Sequence, residues 1–353
     1  MKAKFVTILI PCLDEDSTIS RVVVDAKIAG KKNFGKNFEL VISDNGSTDG
    51  TLKILNKLKG IRVINVPVKG YGAALHWGIM KAKGDYVIFA DADLSYPFSN
   101  IKKFAAKLKD SPDLVLGSRY RGKIGKHAMP ILHKFVGTPL LTLLIRIIYG
   151  IPTTDCNSGM RMVNKKFYKK LNMRNSGMEW ASELLCKTAI KNGNYEEVPI
   201  NYVKDKRGRS PHLSSWADGW RHLKAIILLK PNILYLFLLL FTYISIIFYK
   251  RNFTISFLFA DFSVILILSI ATLDLLSSLI DSKITKIASF LLKFRLVPIT
   301  LLLTAILGLS TFLIPNSRLG SKLFMASVMG ILFMWVFLIE TIKTHLANRL
   351  PNV

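Results

Sequence analysis

Asp85-Tyr86-Val87-Ile88-Phe89-Ala90-Asp91-Ala92-Asp93-Leu94-Ser95-Tyr96-Pro97 is an apolar run that halts at two carboxylates one residue apart. Tyr86 to Ala90 is short, aromatic and β-branched, with Gly84 before it and Pro97 after it, the make-up of an interior strand in a parallel sheet. Ligands of open α/β sheets bind beyond the carboxyl ends of the strands, where Asp91 and Asp93 fall. Two hard anionic oxygen ligands so spaced suit Mg²⁺ or Mn²⁺ shared with a substrate diphosphate. The plain alternative is that Asp91 caps a turn and Asp93 is solvated.

Outward from this strand, short apolar runs alternate with helical ones. Lys4 to Ile10 reads as a first strand ended by Pro11-Cys12-Leu13-Asp14-Glu15, and a helix capped by Asp16 or Ser17 follows, to about Ala29. Phe38 to Ser43 reads as a second strand, and residues 44–51, Asp-Asn-Gly-Ser-Thr-Asp-Gly-Thr, as a loop. A helix to about Leu58 and a strand from Arg62 to Val66 come next. Lys69-Gly70-Tyr71-Gly72 opens a helix running to about Lys83; its glycines either bring backbone N–H groups and Lys69 to a phosphate or simply permit close packing. After the central strand, a helix to about Lys109 and a strand Leu114 to Gly117 lead to Ser118-Arg119, which puts a planar, phosphate-matching guanidinium on the same edge as Asp91. This alternation predicts an α/β fold with a right-handed, mostly parallel sheet.

Residues 133–149 are apolar but interrupted by Gly137, Pro139 and Arg146, too short for a span, so the reading is an interfacial helix pair lying on a bilayer, with a buried helix as its competitor. Asp155-Cys156-Asn157-Ser158-Gly159-Met160-Arg161 returns the chain toward the site, and Gly177-Met178-Glu179-Trp180 precedes a helix carrying Glu183. Residues 204–209 form a cationic loop holding Arg207 and Arg209. Beyond it the hydropathy changes. Residues 215–230 read as an interfacial amphipathic helix, and residues 231–353 as a transmembrane domain of about four helices, near 231–249, 253–273, 296–314 and 323–341.

The net charge of +26 over 353 residues fits an anionic membrane surface or an anionic substrate. Nucleic acid is not the expected partner, because no helix-turn-helix, zinc-ligand or RNA-binding signature is present. Cys12, Cys156 and Cys186 are odd in number and lack ligand spacing, which argues against a disulfide framework or a zinc site and for a reducing, cytoplasmic-facing catalytic part. The apolar run at residues 5–10 is too short for a secretory signal core and is followed by three acids.

Taken in chain order, Pro11 to Glu15, Asp44 to Thr51, the Lys69-Gly-x-Gly helix start, Asp91-Ala-Asp93, Gly117-Ser-Arg119-Tyr120, Asp155 to Arg161 and Arg207-Gly-Arg-Ser resemble the family 2 glycosyltransferases of GT-A fold. Within them they are most similar to the polyprenyl-phosphate sugar transferases of the dolichyl-phosphate mannose or glucose synthase kind. The resemblance covers residues 4–225 and implies a GT-A domain over 1–214. It implies that Pro11, Leu13, Glu15, Asp44, Lys69, Asp91, Arg207 and Arg209 bind the nucleotide-sugar donor, and that Asp91 and Asp93 hold Mg²⁺ or Mn²⁺. It further implies that Arg119 binds the lipid phosphate, with His133 near the place where relatives carry a second arginine. Asp93, Arg119, Asp155 and Glu179 are the candidates for catalysis, and structural roles for the last two stay open. Ser95 stands where many relatives place Gln.

The expected reaction is transfer of a hexose from a UDP- or GDP-sugar to polyprenyl phosphate, with inversion, by an integral protein of the cytoplasmic membrane whose catalytic domain faces the cytoplasm and which can form homo-oligomers. A lipid phosphate is largely ionised near neutrality, its second pKa being about 6, so the task is bringing two anions together. The competing readings are a glycolipid transferase with a hydroxyl acceptor, which needs a general base, and a non-catalytic membrane binding or transport protein. A processive polysaccharide synthase is disfavoured, since its Gln-x-x-Arg-Trp motif cannot occur in a chain without glutamine.

Overall fold

The computed structural model describes residues 4–208 and 215–230, with five isolated positions between 239 and 247. The chain divides into two compact units, residues 1–229 with 348–353, and residues 230–347. The four expected spans lie outside the described residues. Among the described residues no helix is long and apolar enough to cross a membrane.

The first unit is built on a seven-stranded sheet: β1 (Val6–Cys12), β2 (Phe38–Asp44), β3 (Arg62–Asn65), β4 (Tyr86–Phe89), β5 (Leu114–Ile124), β6 (Arg161–Asn164) and β7 (Tyr195–Tyr202). Their spatial order is β3-β2-β1-β4-β6-β5-β7, and only β6 runs antiparallel to its neighbours. The strand order turns at β1 and β4, whose parallel register Val6↔Tyr86 to Leu9↔Phe89 places the ends of both strands on one edge. Alternation along β1 and β4 divides the core between two faces. Ile8, Ile10 and Ile88 pack with Val22, Val23 and Ala26 of α1 (Ile19–Phe34) and Phe104 of α4 (Ile101–Lys107). On the opposite face Leu9 presses on Gly78 of α3 (Tyr71–Lys81), and Phe89 meets Trp180 of α7 (Trp180–Ile190) edge-on. The short α2 (Thr51–Leu55) and α6 (Lys165–Lys170) complete the covering helices.

Two expectations change, and the helix expected at 215–230 is present. The strand ending at Gly117 continues to Ile124, because β7 pairs with it on both sides of an irregularity between Ser118 and Lys123. The expected helix pair at 133–149 is one continuous helix from residue 131, with a π turn at His133–Gly137 running into α5 (Thr138–Tyr149). The helix at 215–230, α8 (Ser215–Leu228), buries Asp218, His222 and Lys224 and packs on α7 and α5, as the Ser182 to His222 side-chain bond of 2.8 Å shows.

Candidate active site

Two loops at the strand ends form one rim. The chain leaves β1 at Cys12, turns through Asp14 in the left-handed region (φ 53°), and is tied to the loop after β2 by paired bonds. Asp14 N–H donates to Ser47 Oγ at 2.9 Å, Thr48 N–H to Asp14 Oδ1 at 2.6 Å, and Glu15 N–H to Thr51 Oγ1 at 2.8 Å. Asp44 is buried and spends its carboxylate on this loop, accepting from Gly46 N–H, Ser47 N–H and Ser47 Oγ. Pro11 is buried at the floor and Leu13 is half-buried beside it.

Lys69 reaches the same rim from below. Its ammonium donates to the carbonyls of Asn45 and Gly46 at 3.1 Å each, so it braces the loop. The glycine-rich start of α3 is a packing device: Gly70 takes φ 130°, a Cβ there would run into the Ser176 carbonyl, and Ala73 N–H donates to Ser176 O at 2.9 Å. Of the two roles open to these glycines, the structure shows close approach of the 175–177 loop.

The paired carboxylates lie beyond β4. Asp91 Oδ1 accepts the Tyr71 hydroxyl at 2.8 Å, and Gly159 lies so close to Oδ2 that no side chain fits there. Burial, and then the negative charge of Asp93, raise the Asp91 carboxyl above the ordinary carboxylate range. Asp93 Oδ1 accepts Ser95 N–H at 2.9 Å, and its Oδ2 lies 3.2 Å from Arg207 Nη2. The same guanidinium lies 3.3 Å from Glu15 Oε1 and 3.6 Å from Asp205 Oδ2. The loop bearing Arg207 is pinned across the strand end by Val203 N–H to Ser95 O at 2.9 Å and Lys206 N–H to Asp93 O at 3.1 Å. Arg207 thus bridges the β1 loop and the β4 loop; Arg209 lies outside the described residues. Burial works against its charge, but Asp93, Glu15 and Asp205 outweigh it and hold the guanidinium firmly protonated.

Asp155 and Arg119 form the second charged centre. Arg119 donates from Nε to Oδ2 and from Nη2 to Oδ1 of Asp155, both at 2.7 Å, and its own N–H donates to Oδ2 at 2.9 Å. Both side chains are buried, and the guanidinium stacks 5.2 Å from the centre of the Tyr202 ring. A bidentate pair of this kind fixes the fork through Nε and Nη2. Asp155 is therefore a positioning group for Arg119, not a free base. The turn that carries it is held by the buried Arg161, which donates to the carbonyls of Ser158, Ala181 and Cys156 at 2.7–2.9 Å. His133 heads the π turn, whose backbone is tied to Tyr120, the neighbour of Arg119, by the Tyr120 hydroxyl donating to Lys134 O at 2.7 Å. Glu179, at the start of α7, is buried, and burial raises its pKa against the opposing effect of nearby backbone N–H groups and Arg221.

Among the described residues no cluster of three or more His, Cys, Asp or Glu could hold a metal ion. The fit of a divalent cation rests on Asp91 and Asp93: two carboxylates repel each other in a buried place with Arg207 and Arg119 as neighbouring cations, and a substrate diphosphate can supply the remaining oxygens. Tyr71, Tyr202 and Arg161 escaped the sequence reading as site-building residues. Only the position of Arg161 at the end of the Asp155 turn could have marked one of them.

The model of the family described as "Glycosyl transferase family 2" matches residues 7–171. The chain is 33% identical over 236 residues to the low-salt glycan biosynthesis hexosyltransferase Agl6 of Haloferax volcanii, a match covering 66% of this chain and 55% of that protein. It is 30% identical over 188 residues to the dolichyl-phosphate hexose transferase of the same organism, covering 53% of this chain and 79% of the relative. Among solved structures, glucosyl-3-phosphoglycerate synthase from Mycobacterium tuberculosis aligns with a TM-score of 0.49 and 22% identity, over 64% of this chain and 79% of that one. The chain belongs to glycosyl transferase family 2.

Proposed function

We propose that this protein transfers a hexose from a nucleoside diphosphate sugar to a polyprenyl phosphate, inverting the anomeric carbon. The observation that carries the acceptor class is the Arg119–Asp155 pair: a buried guanidinium held in place by a carboxylate that is thereby committed and not free to act as a general base. A hydroxyl acceptor must lose a proton to such a base. A phosphate acceptor arrives ionised and needs a fixed cation instead. The similarity to a relative named as a dolichyl-phosphate hexose transferase supports the same class.

In this reading the rim of Pro11, Leu13, Glu15 and Asp44, braced by Lys69, receives the nucleotide. A divalent ion, Mg²⁺ or Mn²⁺, held by Asp91 and Asp93, would neutralise charge on the departing diphosphate. Arg207 turns from Asp93 and Glu15 toward the diphosphate, with Arg209 on the same loop. Arg119, with its fork fixed by Asp155 and His133 nearby in the fold, holds the acceptor phosphate. An acceptor oxygen attacks the anomeric carbon while the bond from that carbon to the diphosphate oxygen breaks, and its electron pair leaves with the nucleoside diphosphate. No proton need move. Residues 231–353 would anchor this unit on the cytoplasmic face of the membrane.

The test is a screen of purified full-length protein with labelled UDP- and GDP-sugars against polyprenyl phosphate and diacylglycerol, with and without chelator. The expected product is a chelator-sensitive, lipid-phosphate-linked sugar. Product on diacylglycerol alone would favour the hydroxyl reading, in which the buried Glu179 would be the base, and Glu179→Gln would then abolish it. Absence of product, with sugar moving only down a gradient across vesicles, would favour a transport role.

A further inference from the structure

The glycine-rich start of α3 carries a hydroxyl that close packing does not call for. Tyr71 stands between two glycines that both press on the 175–177 segment and α7. A Cβ at Gly70 would run into the Ser176 carbonyl, and one at Gly72 into Trp180 Cβ and the Gly177 carbonyl. The first turn is closed by Ala73 N–H on Ser176 O at 2.9 Å and Ala74 N–H on Gly70 O at 3.0 Å. The backbone of Tyr71 is thus pinned on both sides, and its hydroxyl lands on Asp91 Oδ1 at 2.8 Å, 20 residues further along the chain.

Asp91 is held from its other side as well. Gly159, in the turn that leads into β6, lies against Oδ2, and a Cβ there would collide with that oxygen. Gly159 N–H donates to the Tyr96 hydroxyl at 2.7 Å, which ties this turn to the loop after β4, and Tyr96 in turn packs on Tyr202 with ring centres 4.9 Å apart. A carboxylate that accepts a phenol on one oxygen is no longer free to turn about its Cβ–Cγ bond. The direction of the other oxygen is therefore set. The room beside Oδ2 is the volume of the side chain that Gly159 lacks. Asp93 is oriented by different means, Ser95 N–H on Oδ1 and Arg207 at Oδ2.

We propose that Tyr71 is the positioning residue of the cation site: its hydroxyl fixes the Asp91 carboxylate so that Oδ2 faces a divalent ion, and Gly70 and Gly72 serve to place that hydroxyl. The role rests on the reading of Asp91 as a cation ligand and adds what aims it. Carboxylates that bind metal are themselves hydrogen-bonded, and loss of such an outer partner costs about 10- to 100-fold in metal affinity. A packing role alone predicts no such loss, because phenylalanine fills nearly the same volume as tyrosine.

Mn²⁺ is titrated into detergent-solubilised full-length protein, with the bound fraction read from the loss of the free-ion EPR signal. Tyr71→Phe should bind Mn²⁺ about tenfold more weakly than the wild type. Gly159→Ala crowds the same carboxylate from the opposite side and should weaken binding at least as much. The control is Tyr168→Phe, which also removes an interior hydroxyl, one bonded to His76 and Trp180, and should keep the wild-type affinity. Unchanged affinity in Tyr71→Phe would overturn the proposal. An equal loss in Tyr168→Phe would overturn it too, since a loosened fold would then account for the effect, and unchanged affinity in Gly159→Ala would take the cation away from Oδ2. If the wild type itself takes up no Mn²⁺, the cation reading of Asp91 falls and the role of Tyr71 with it, so the wild-type titration tells the two failures apart.

Discussion

At the scale of single residues, the proposed function divides the labour between two arginines. Arg119 is fixed by Asp155, whereas Arg207 sits among Glu15, Asp93 and Asp205. Arg119→Ala should raise the acceptor KM by a factor reflecting about 1.5–3 kcal/mol while leaving nucleotide affinity near its starting value, and Arg207→Ala should do the reverse. Asp155→Asn should copy the acceptor defect of Arg119→Ala, because the fork loses its orienting partner. It should also lower stability, since a buried guanidinium left without its anion costs roughly 3–5 kcal/mol. Steady-state kinetics and calorimetry on the three variants check the division; equal losses on both substrates would refute it. Asp93→Ala should abolish metal-dependent nucleotide binding with the thermal midpoint preserved. Because burial and Asp93 raise the Asp91 carboxyl, protons would compete with a divalent cation there, so metal affinity should weaken as pH is lowered from neutrality. Titration calorimetry with Mn²⁺ at two pH values would show it. The paired carboxylates could be read from the sequence because they end an apolar run. The Arg119–Asp155 bond could not, since 36 residues separate the partners and nothing local to either encodes the meeting.

At the scale of elements, legibility followed burial on both faces. The strands β1, β2 and β4 are dense in Val, Ile and Leu and were readable to within two residues. β6 escaped because Arg161-Met-Val-Asn is four residues with polar ends, and β7 because Glu196, Glu197 and Pro199 interrupt its pattern. Proline is tolerated in β7 because the strand lies at the sheet edge. The helices hide a further feature, two buried histidines. His76 of α3 meets the Tyr168 hydroxyl at 2.8 Å, and His222 of α8 meets Ser182. Burial pushes both down to about 4, with the Arg161 charge adding to the effect at His222. Their folded values lie below the unfolded value near 6.5, so the unfolded chain takes up protons first. The stability they contribute is complete above about 6.5 and is lost as pH falls to about 4, roughly 3 kcal/mol for each group. Thermal midpoints should therefore drop between pH 7 and 5, and His76→Asn together with His222→Asn should flatten that slope; an unchanged slope would show that other groups govern it.

At the scale of the whole chain, charge and hydropathy divide at the boundary between the two units. Residues 1–230 hold 39 of the 49 basic residues and 19 of the 23 acidic ones, a net +20, and the remainder carries 10 and 4, a net +6. If residues 231–353 cross the membrane four times, both ends of that segment lie on one side. Arg221, Lys224 and Lys230 precede the first span, Lys283, Lys286, Lys293 and Arg295 lie between the second and third, and Lys343 and Arg349 follow the last. The loops left for the other side hold Lys250, Arg251, Arg318 and Lys322. Short loops rich in Lys and Arg stay in the cytoplasm, so on this reading the first unit and the C-terminal residues would both lie there. The three native cysteines are buried, so a membrane-impermeant maleimide reports on an added one alone. In intact cells Asn316→Cys should react and Asn352→Cys should not, whereas after lysis both should. Reaction at 352 in intact cells would mean an odd number of crossings, and would leave the catalytic unit and the chain end on opposite faces.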